Sequence, residues 1–245
     1  FLYQLPLGVF GISLATAIFP LLSTKAAQGD RAGMAEVVQR GIRMSFFIAL
    51  PSSIGLIFVA HPLVATLYQR GEFDAADTQR VAATLVYYSL GIAAYFTQHI
   101  VVRTFYALQD SRTPARVALW MVALNLVMNL SLVFVMEERG LALSTSVSAT
   151  VQILWLLARL RRVLPEIGWA KLGLALSRTV LATAAMAVAL WILTSSGLSV
   201  DRLVGQSGIQ LLILVVAGVA VYILAARALR VEELSTAFHN SVEQR

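Results

Sequence analysis

The sequence predicts an all-α fold, a polytopic membrane bundle of about seven transmembrane helices, and three observations predict it. First, 58% of the 245 residues are hydrophobic and only 13% are charged, against about 45–50% apolar and about 25% charged in soluble domains. The mean hydropathy is +0.77. So few charges cannot cover a soluble enzyme, and the same composition excludes a disordered chain, a collagen and a small disulfide-stapled domain. Second, the apolar residues fall into seven runs, each close to the roughly 20 residues a helix needs to cross a bilayer. They do not alternate with period two, as barrel strands would. Third, the basic residues recur between the runs. The net charge of +6 therefore reads as membrane topology and not as a nucleic-acid surface.

The first run is Tyr3–Leu22. The second, Ile42–Ala60, contains Pro51, which predicts a kink that neighbouring helices must accommodate. His61-Pro62 ends it, and Leu63–Arg70 reads as a short amphipathic helix on the outer surface. Asp74 and Asp77 precede the third run, Val81–Val102, and one of them supplies its N-cap, with negative charge on the helix dipole. Gln98, His99 and Arg103 cluster at the inner end of that run. Thr113-Pro114 reads as an N-cap and a first-turn proline for the fourth run, Val117–Met136. After a Glu137-Glu138-Arg139 turn, Gly140 opens the fifth, Leu141–Leu157. Leu172–Leu193 and Ile209–Ala226 follow, with Ser195–Gln206 as a linker between them. Residues after Arg230 form a polar tail. The chain starts at Phe1 inside an apolar run, so it reads as the C-terminal part of a longer protein.

Loop charge sets the orientation. Fifteen of the 19 basic residues fall on one set of alternate loops, and only Arg70, Arg80, Arg139 and Arg202 fall on the other. The positive-inside rule places the first set, with the C-terminus, in the cytoplasm.

Ionisable residues within spans are costly and point to function by default. Arg43, Arg103 and Arg178 lie near inner helix ends, where a long side chain can snorkel to the headgroups. The alternative is that Arg43, Arg103 and Arg112 hold an anionic headgroup, since a guanidinium fork pairs with phosphate and stays charged. Asn125 and Asn129 share a helix face one turn apart, and the next run opens with Ser144, Thr145, Ser146 and Ser148. Two readings stay open. These groups are hydrogen-bonding glue between antiparallel helices, or they form a weak cation site of hard oxygens without a carboxylate. Chemistry of soluble enzymes is poorly supported. Cysteine is absent, the three histidines (His61, His99, His239) are scattered, and no protease, phosphate-loop or dinucleotide motif occurs.

Several segments resemble the MurJ/MviN lipid II flippases of the MOP (multidrug/oligosaccharidyl-lipid/polysaccharide) superfamily. They are Leu5-Pro6-Leu7-Gly8-Val9-Phe10-Gly11 with Thr16 and Phe19-Pro20-Leu21-Leu22-Ser23; Arg70-Gly71-Glu72-Phe73-Asp74 with Asp77-Thr78; Phe105 through Pro114; and Gly140-Leu141-Ala142-Leu143-Ser144-Thr145. The resemblance covers roughly residues 1–165. It implies that residues 1–165 are five helices of the C-terminal MOP lobe, that 166–230 are a terminal helix pair whose groove takes a lipid tail, and that 231–245 are a cytoplasmic tail. The implied activity is movement of lipid-linked peptidoglycan precursor across the bacterial inner membrane by alternating access, with no bond made or broken. The implied partners are that precursor, membrane lipids and an N-terminal lobe of the same chain, with no nucleic acid and no cofactor except possible sodium. The family's cavity arginine position is Phe1 here. Its sodium ligands correspond to Asn125, Asn129, Leu141 and Thr145, with Asn129 in place of a carboxylate. Alternatives are another exporter of the superfamily, or a membrane enzyme acting on polyprenyl phosphates.

Overall fold

The computed structural model describes residues 2–4, 7–195 and 207–234. Phe1, Leu5-Pro6, nearly all of the expected linker, His239 and the end of the tail lie outside the described residues. A π-helical turn, Leu7–Gly11, leads into α1 (Ile12–Ala27). Then come α2 (Arg31–Tyr68), α3 (Ala75–Ser89), α4 (Ile92–Ala107), α5 (Arg112–Met136), α6 (Glu138–Val163), α7 (Trp169–Ser195) and α8 (Ser207–Ala228). Among the described residues, seven segments are long and apolar enough to cross a membrane, with α3 and α4 forming one of them. The chain is a multi-pass helical membrane protein.

Two spans depart from the sequence reading. The second does not stop at His61-Pro62, and Leu63–Arg70 is no separate surface helix. Instead α2 runs unbroken for 38 residues through both Pro51 and Pro62. Proline's fixed φ suits a helix, and the cost is one lost backbone bond and crowding of the preceding turn. Burial of Ala60 and Val64 against Ala82 and Leu85 offsets it. The third span is not one helix, because it breaks at Leu90-Gly91, the midpoint of the crossing.

The turns are built from left-handed residues and carboxylates. At the end of α1, Gly29 takes φ 68°, and the Asp30 and Gly29 amides bond back to the Lys25 and Ala26 carbonyls. This is a Schellman closure. Asp30 then caps α2 by accepting the Gly33 N–H at 2.8 Å and pairs with Lys25 at 2.7 Å. The end of α4 repeats the device with Gln109 at φ 59°. Here the expected cap Thr113 is corrected. Ser111 is already helical in its dihedrals, so the acceptor is Asp110, which takes the Thr113 N–H at 2.9 Å. The Thr113 hydroxyl, then its N–H, holds the Asp110 carboxyl below its usual range. At α3, Asp74 accepts the Asp77 N–H at 2.9 Å while the Asp77 carboxylate takes the Asp74 N–H, a reciprocal capping box. Between α5 and α6 the expected three-residue turn contracts to Glu137 at φ 52°. Gly140 lies buried so close to α5 that a Cβ would sit 2.7 Å from the Leu132 carbonyl oxygen.

Two main apolar cores hold the bundle. One joins α1, α2, α4, α5 and α6 through residues such as Leu22, Val38, Phe105 and Leu156. The other packs α7 and α8 on α2 through Val59, Met186, Leu190 and Tyr222. Val231 and Leu234 belong to it, so the start of the expected polar tail is folded onto the bundle. In contrast, α5 turns Leu119, Trp120 and Phe134 outward at 76%, 63% and 86% exposure, as suits a helix wrapped in lipid tails. Contacts between elements respect the sorting of loops into two sets. Arg31 meets Glu166 at 2.8 Å and Arg178 reaches the Arg230 carbonyl at 3.4 Å, all within one set. Arg80 meets Glu138 at 3.1 Å within the other.

Candidate functional site

A groove of about 570 Å³ runs between α2 and the α7–α8 pair. Its walls are Phe47, Ile48, Pro51, Gly55 and Val59 from α2, Met186 and Leu190 from α7, and a stripe of α8 from Leu214 to Ile223. The lining is almost wholly apolar because each helix presents side chains at three- and four-residue spacing. Glycines keep it open. A Cβ on Gly55 would meet nothing within 4 Å, and one on Gly218 would touch only Leu190 and Met186.

Polar groups pin the groove at one end. Pro51 has no N–H, so the Phe47 carbonyl four residues earlier lacks its helical donor. The Tyr222 hydroxyl of α8 donates to that carbonyl at 2.7 Å, with the two rings 5.5 Å apart. One turn before Phe47, Arg43 meets Glu232 at 2.8 Å and Glu233 at 2.7 Å. Glu233 is 4% exposed. Its Oε1 and the Arg43 Nε are close enough to pair but not aligned as a hydrogen bond. Arg43, expected to face an anionic headgroup, is thus engaged by the chain's own carboxylates.

The other headgroup candidates lie elsewhere. Arg103 is half-buried on α4, one turn after His99, and Arg112 is exposed at the first residue of α5. Neither makes an ion pair with a described residue.

Asn125, Asn129, Leu141 and Thr145 do converge, at the α5–α6 contact. Asn129 donates to Asn125 Oδ1 at 2.9 Å. Ser144 reaches both Asn129 Oδ1 and, at 2.9 Å, the Leu141 carbonyl, though its single proton serves one at a time. Thr145 donates to that carbonyl at 2.7 Å, and Asn125 spans to Ser144 and Ser148 at 3.4 Å each. Three of the four oxygens that a cation would need already accept a proton from the protein, and no carboxylate stands among them. As arranged, these oxygens serve hydrogen bonds within the α5–α6 contact, and no three His, Cys, Asp or Glu of the described residues gather as metal ligands.

The break at Leu90-Gly91 escaped sequence reasoning. Ser146 of α6 donates to the Tyr87 carbonyl at 2.7 Å and lies 3.3 Å from that of Tyr88, and Ser53 of α2 donates to the Ser89 carbonyl. These hydroxyls serve carbonyls at the interruption, which is how a broken helix survives in hydrocarbon. Gly91 allows it, since a Cβ there would lie 3.0 Å from the Ser146 Cα. A glycine in the middle of an apolar run was the available signal. The Tyr222 bond and the Glu232-Glu233 contact left none, because both depend on which helix lies alongside.

Comparison with known proteins bears on this arrangement. The family model described as lipid II flippase MurJ matches residues 1–204. A probable lipid II flippase MurJ of Vibrio cholerae is 35% identical over 60% of this chain and 28% of its own length. Its counterpart in Thermotoga maritima is 30% identical over 95% of this chain and 45% of its own. The lipid II flippase MurJ of Burkholderia cenocepacia is 33% identical over 69% and 33%. The chain thus spans less than half the length of these relatives. A solved structure, a lipid II flippase MurJ in an inward closed conformation, superposes with a TM-score of 0.73 at 21% identity, covering 98% of this chain and 46% of the other. That likeness establishes the fold.

Proposed function

The chain belongs to the lipid II flippase MurJ family, and from that membership we propose that it is one portion of a flippase moving lipid-linked peptidoglycan precursor from the inner to the outer leaflet. The observation that carries the reading is the apolar groove between α2 and the α7–α8 pair, with Arg43 one turn before its lining residue Phe47. A polyprenyl tail is a flexible apolar chain, and a groove with almost no polar lining accepts it without leaving a polar group unpaired. The sugar-pyrophosphate head needs cationic partners, and Arg43, Arg103 and Arg112 on this chain, with the remainder of a MurJ-length protein, are the candidates. Movement of two lobes about a central site suffices, with no covalent step. The end bearing Lys25, Asp110, Glu166 and Arg230 faces the cytoplasm of a bacterial inner membrane, by the charge bias of the loops. We read the Asn125–Asn129–Ser144 network as an interhelical clasp, and route no step through a cation.

The test fills the groove. Gly55→Trp in the full-length protein places a large side chain in open space and disturbs no neighbour at its Cβ. In cells depleted of the native flippase, this variant should be made at normal level yet leave precursor in the inner leaflet. Outer-leaflet lipid II at the wild-type level would sink the reading. Tags on the Arg31 and Asp110 turns should be shielded from external reagents, and labelling from outside would invert the orientation.

A further inference from the structure

We propose that Arg43 is a phosphate-ester site at the mouth of the groove, and that Glu232 and Glu233 occupy it as internal stand-ins until a polyprenyl phosphate displaces them. The proposal rests on the reading of the groove as a tail site, and adds its ligand chemistry and a latch.

The geometry comes from three neighbours. Phe47, one turn beyond Arg43, lines the groove, and so does Leu234, next to Glu233. An apolar chain lying in the groove therefore brings its terminal group to Arg43. There the guanidinium already binds two carboxylates, at 2.8 and 2.7 Å, delivered by adjacent residues of one short turn. Two carboxylates present two negative charges to one guanidinium, and a phosphate monoester offers nearly the same charge on a single group. The Arg43–Glu233 contact is poorly aligned within a buried setting. A buried pair without good hydrogen-bond geometry recovers little of its desolvation cost, so it is open to exchange.

The latch also has a hinge. Beyond α8 the chain reverses at Arg230, a non-glycine residue at φ 50°, and the Val231 N–H closes back on the Ala226 carbonyl at 2.9 Å. Arg178 Nη1 donates to the Arg230 carbonyl. From this turn Val231 and Leu234 reach into the apolar core at 5% and 8% exposure. Loss of the Arg43 contact removes a charged anchor from a segment whose other described contacts include these two side chains, the left-handed turn and the Arg178 bond to it.

The chain has no cysteine, so Val231→Cys in an otherwise cysteine-free full-length protein, held in nanodiscs, reports release by maleimide labelling. Polyprenyl phosphate should raise the labelling rate by on the order of tenfold. Polyprenol, inorganic phosphate and phosphatidylglycerol should not, and equal release by any of the three overturns the proposal. A Glu232→Gln/Glu233→Gln protein should label rapidly without ligand and retain polyprenyl phosphate more tightly, because a latch that excludes ligand must be reciprocal with it. An unchanged labelling rate in that variant also overturns it. Arg43→Lys, which keeps the charge but loses the fork, should no longer respond to the phosphate, and a wild-type response counts against the site. Retention of polyprenyl phosphate is read separately by native mass spectrometry. If it is retained while Val231→Cys stays protected, the latch is wrong and the tail groove stands. If it is not retained, both fail.

Discussion

Tyr222→Phe isolates one interaction between the terminal helix pair and the rest of the bundle. The substitution keeps the ring, its 5.5 Å contact with Phe47 and the shape of the groove. It removes only the hydroxyl that donates to the Phe47 carbonyl at 2.7 Å. Side-chain hydrogen bonds between membrane helices average about 0.6 kcal/mol. This one should exceed the average, because Pro51 withholds the only backbone donor and the carbonyl would be left unpaired in apolar surroundings. An unsatisfied buried group costs about 1–3 kcal/mol, so a loss of about 1–2 kcal/mol is expected. The control is the same change in a Pro51→Ala background. Alanine restores the N–H, the Phe47 carbonyl regains its helical partner, and Tyr222→Phe should then cost less than about 0.6 kcal/mol. Equilibrium unfolding of the four proteins in mixed micelles gives the coupling directly. An equal loss in both backgrounds, or none in either, would refute the argument that proline creates the need for the tyrosine.

Three further outcomes follow from the same kind of reasoning. Gly91→Ala forces a Cβ to 3.0 Å from the Ser146 backbone and should destabilise by about 1–3 kcal/mol, whereas Gly55→Ala, in open space, should be neutral or stabilise by up to about 1 kcal/mol; detergent melting curves compare them. Asn129→Leu should cost about 1 kcal/mol through loss of the α5–α6 clasp, and exchanging sodium for potassium should leave the wild-type Tm unchanged, so a sodium-dependent Tm would restore the cation reading. Asp110 has a folded pKa below its unfolded value of 3.8, so its contribution is complete above that value and is lost as pH falls through the lower folded one. Tm profiles of the wild type and Asp110→Asn should therefore converge in acid and separate above it, and parallel profiles would refute the cap.

The number and order of the crossings were legible in the sequence, because a span is a property of consecutive residues. About 20 apolar side chains in a row satisfy the bilayer whatever lies beside them. Loop charge is equally local, which is why Arg31 and Glu166 at one end, and Arg80 and Glu138 at the other, meet as their loops were sorted. That one of Asp74 and Asp77 caps the next helix was readable for the same reason, since the two lie three positions apart, although their reciprocal pairing was not foreseen.

What only the tertiary structure decided was the partner of each polar group that local rules leave unsatisfied. Pro62 looks like a stop until Ala60 and Val64, on either side of it, are seen to pack on α3. Leu90-Gly91 looks like continuous helix until Ser53 and Ser146 arrive from two other elements. Asn125 and Asn129 are one turn apart in the sequence, but only the fold shows that Ser144 and Ser148 of α6 are their hydrogen-bond neighbours. Glu232 and Glu233 read as solvated tail, yet the turn at Arg230 returns them to Arg43, 189 residues away along the chain for Glu232. In hydrocarbon no water is available to serve a stray donor or acceptor, so these positions are settled by neighbours distant in the chain, and no window of consecutive residues contains them.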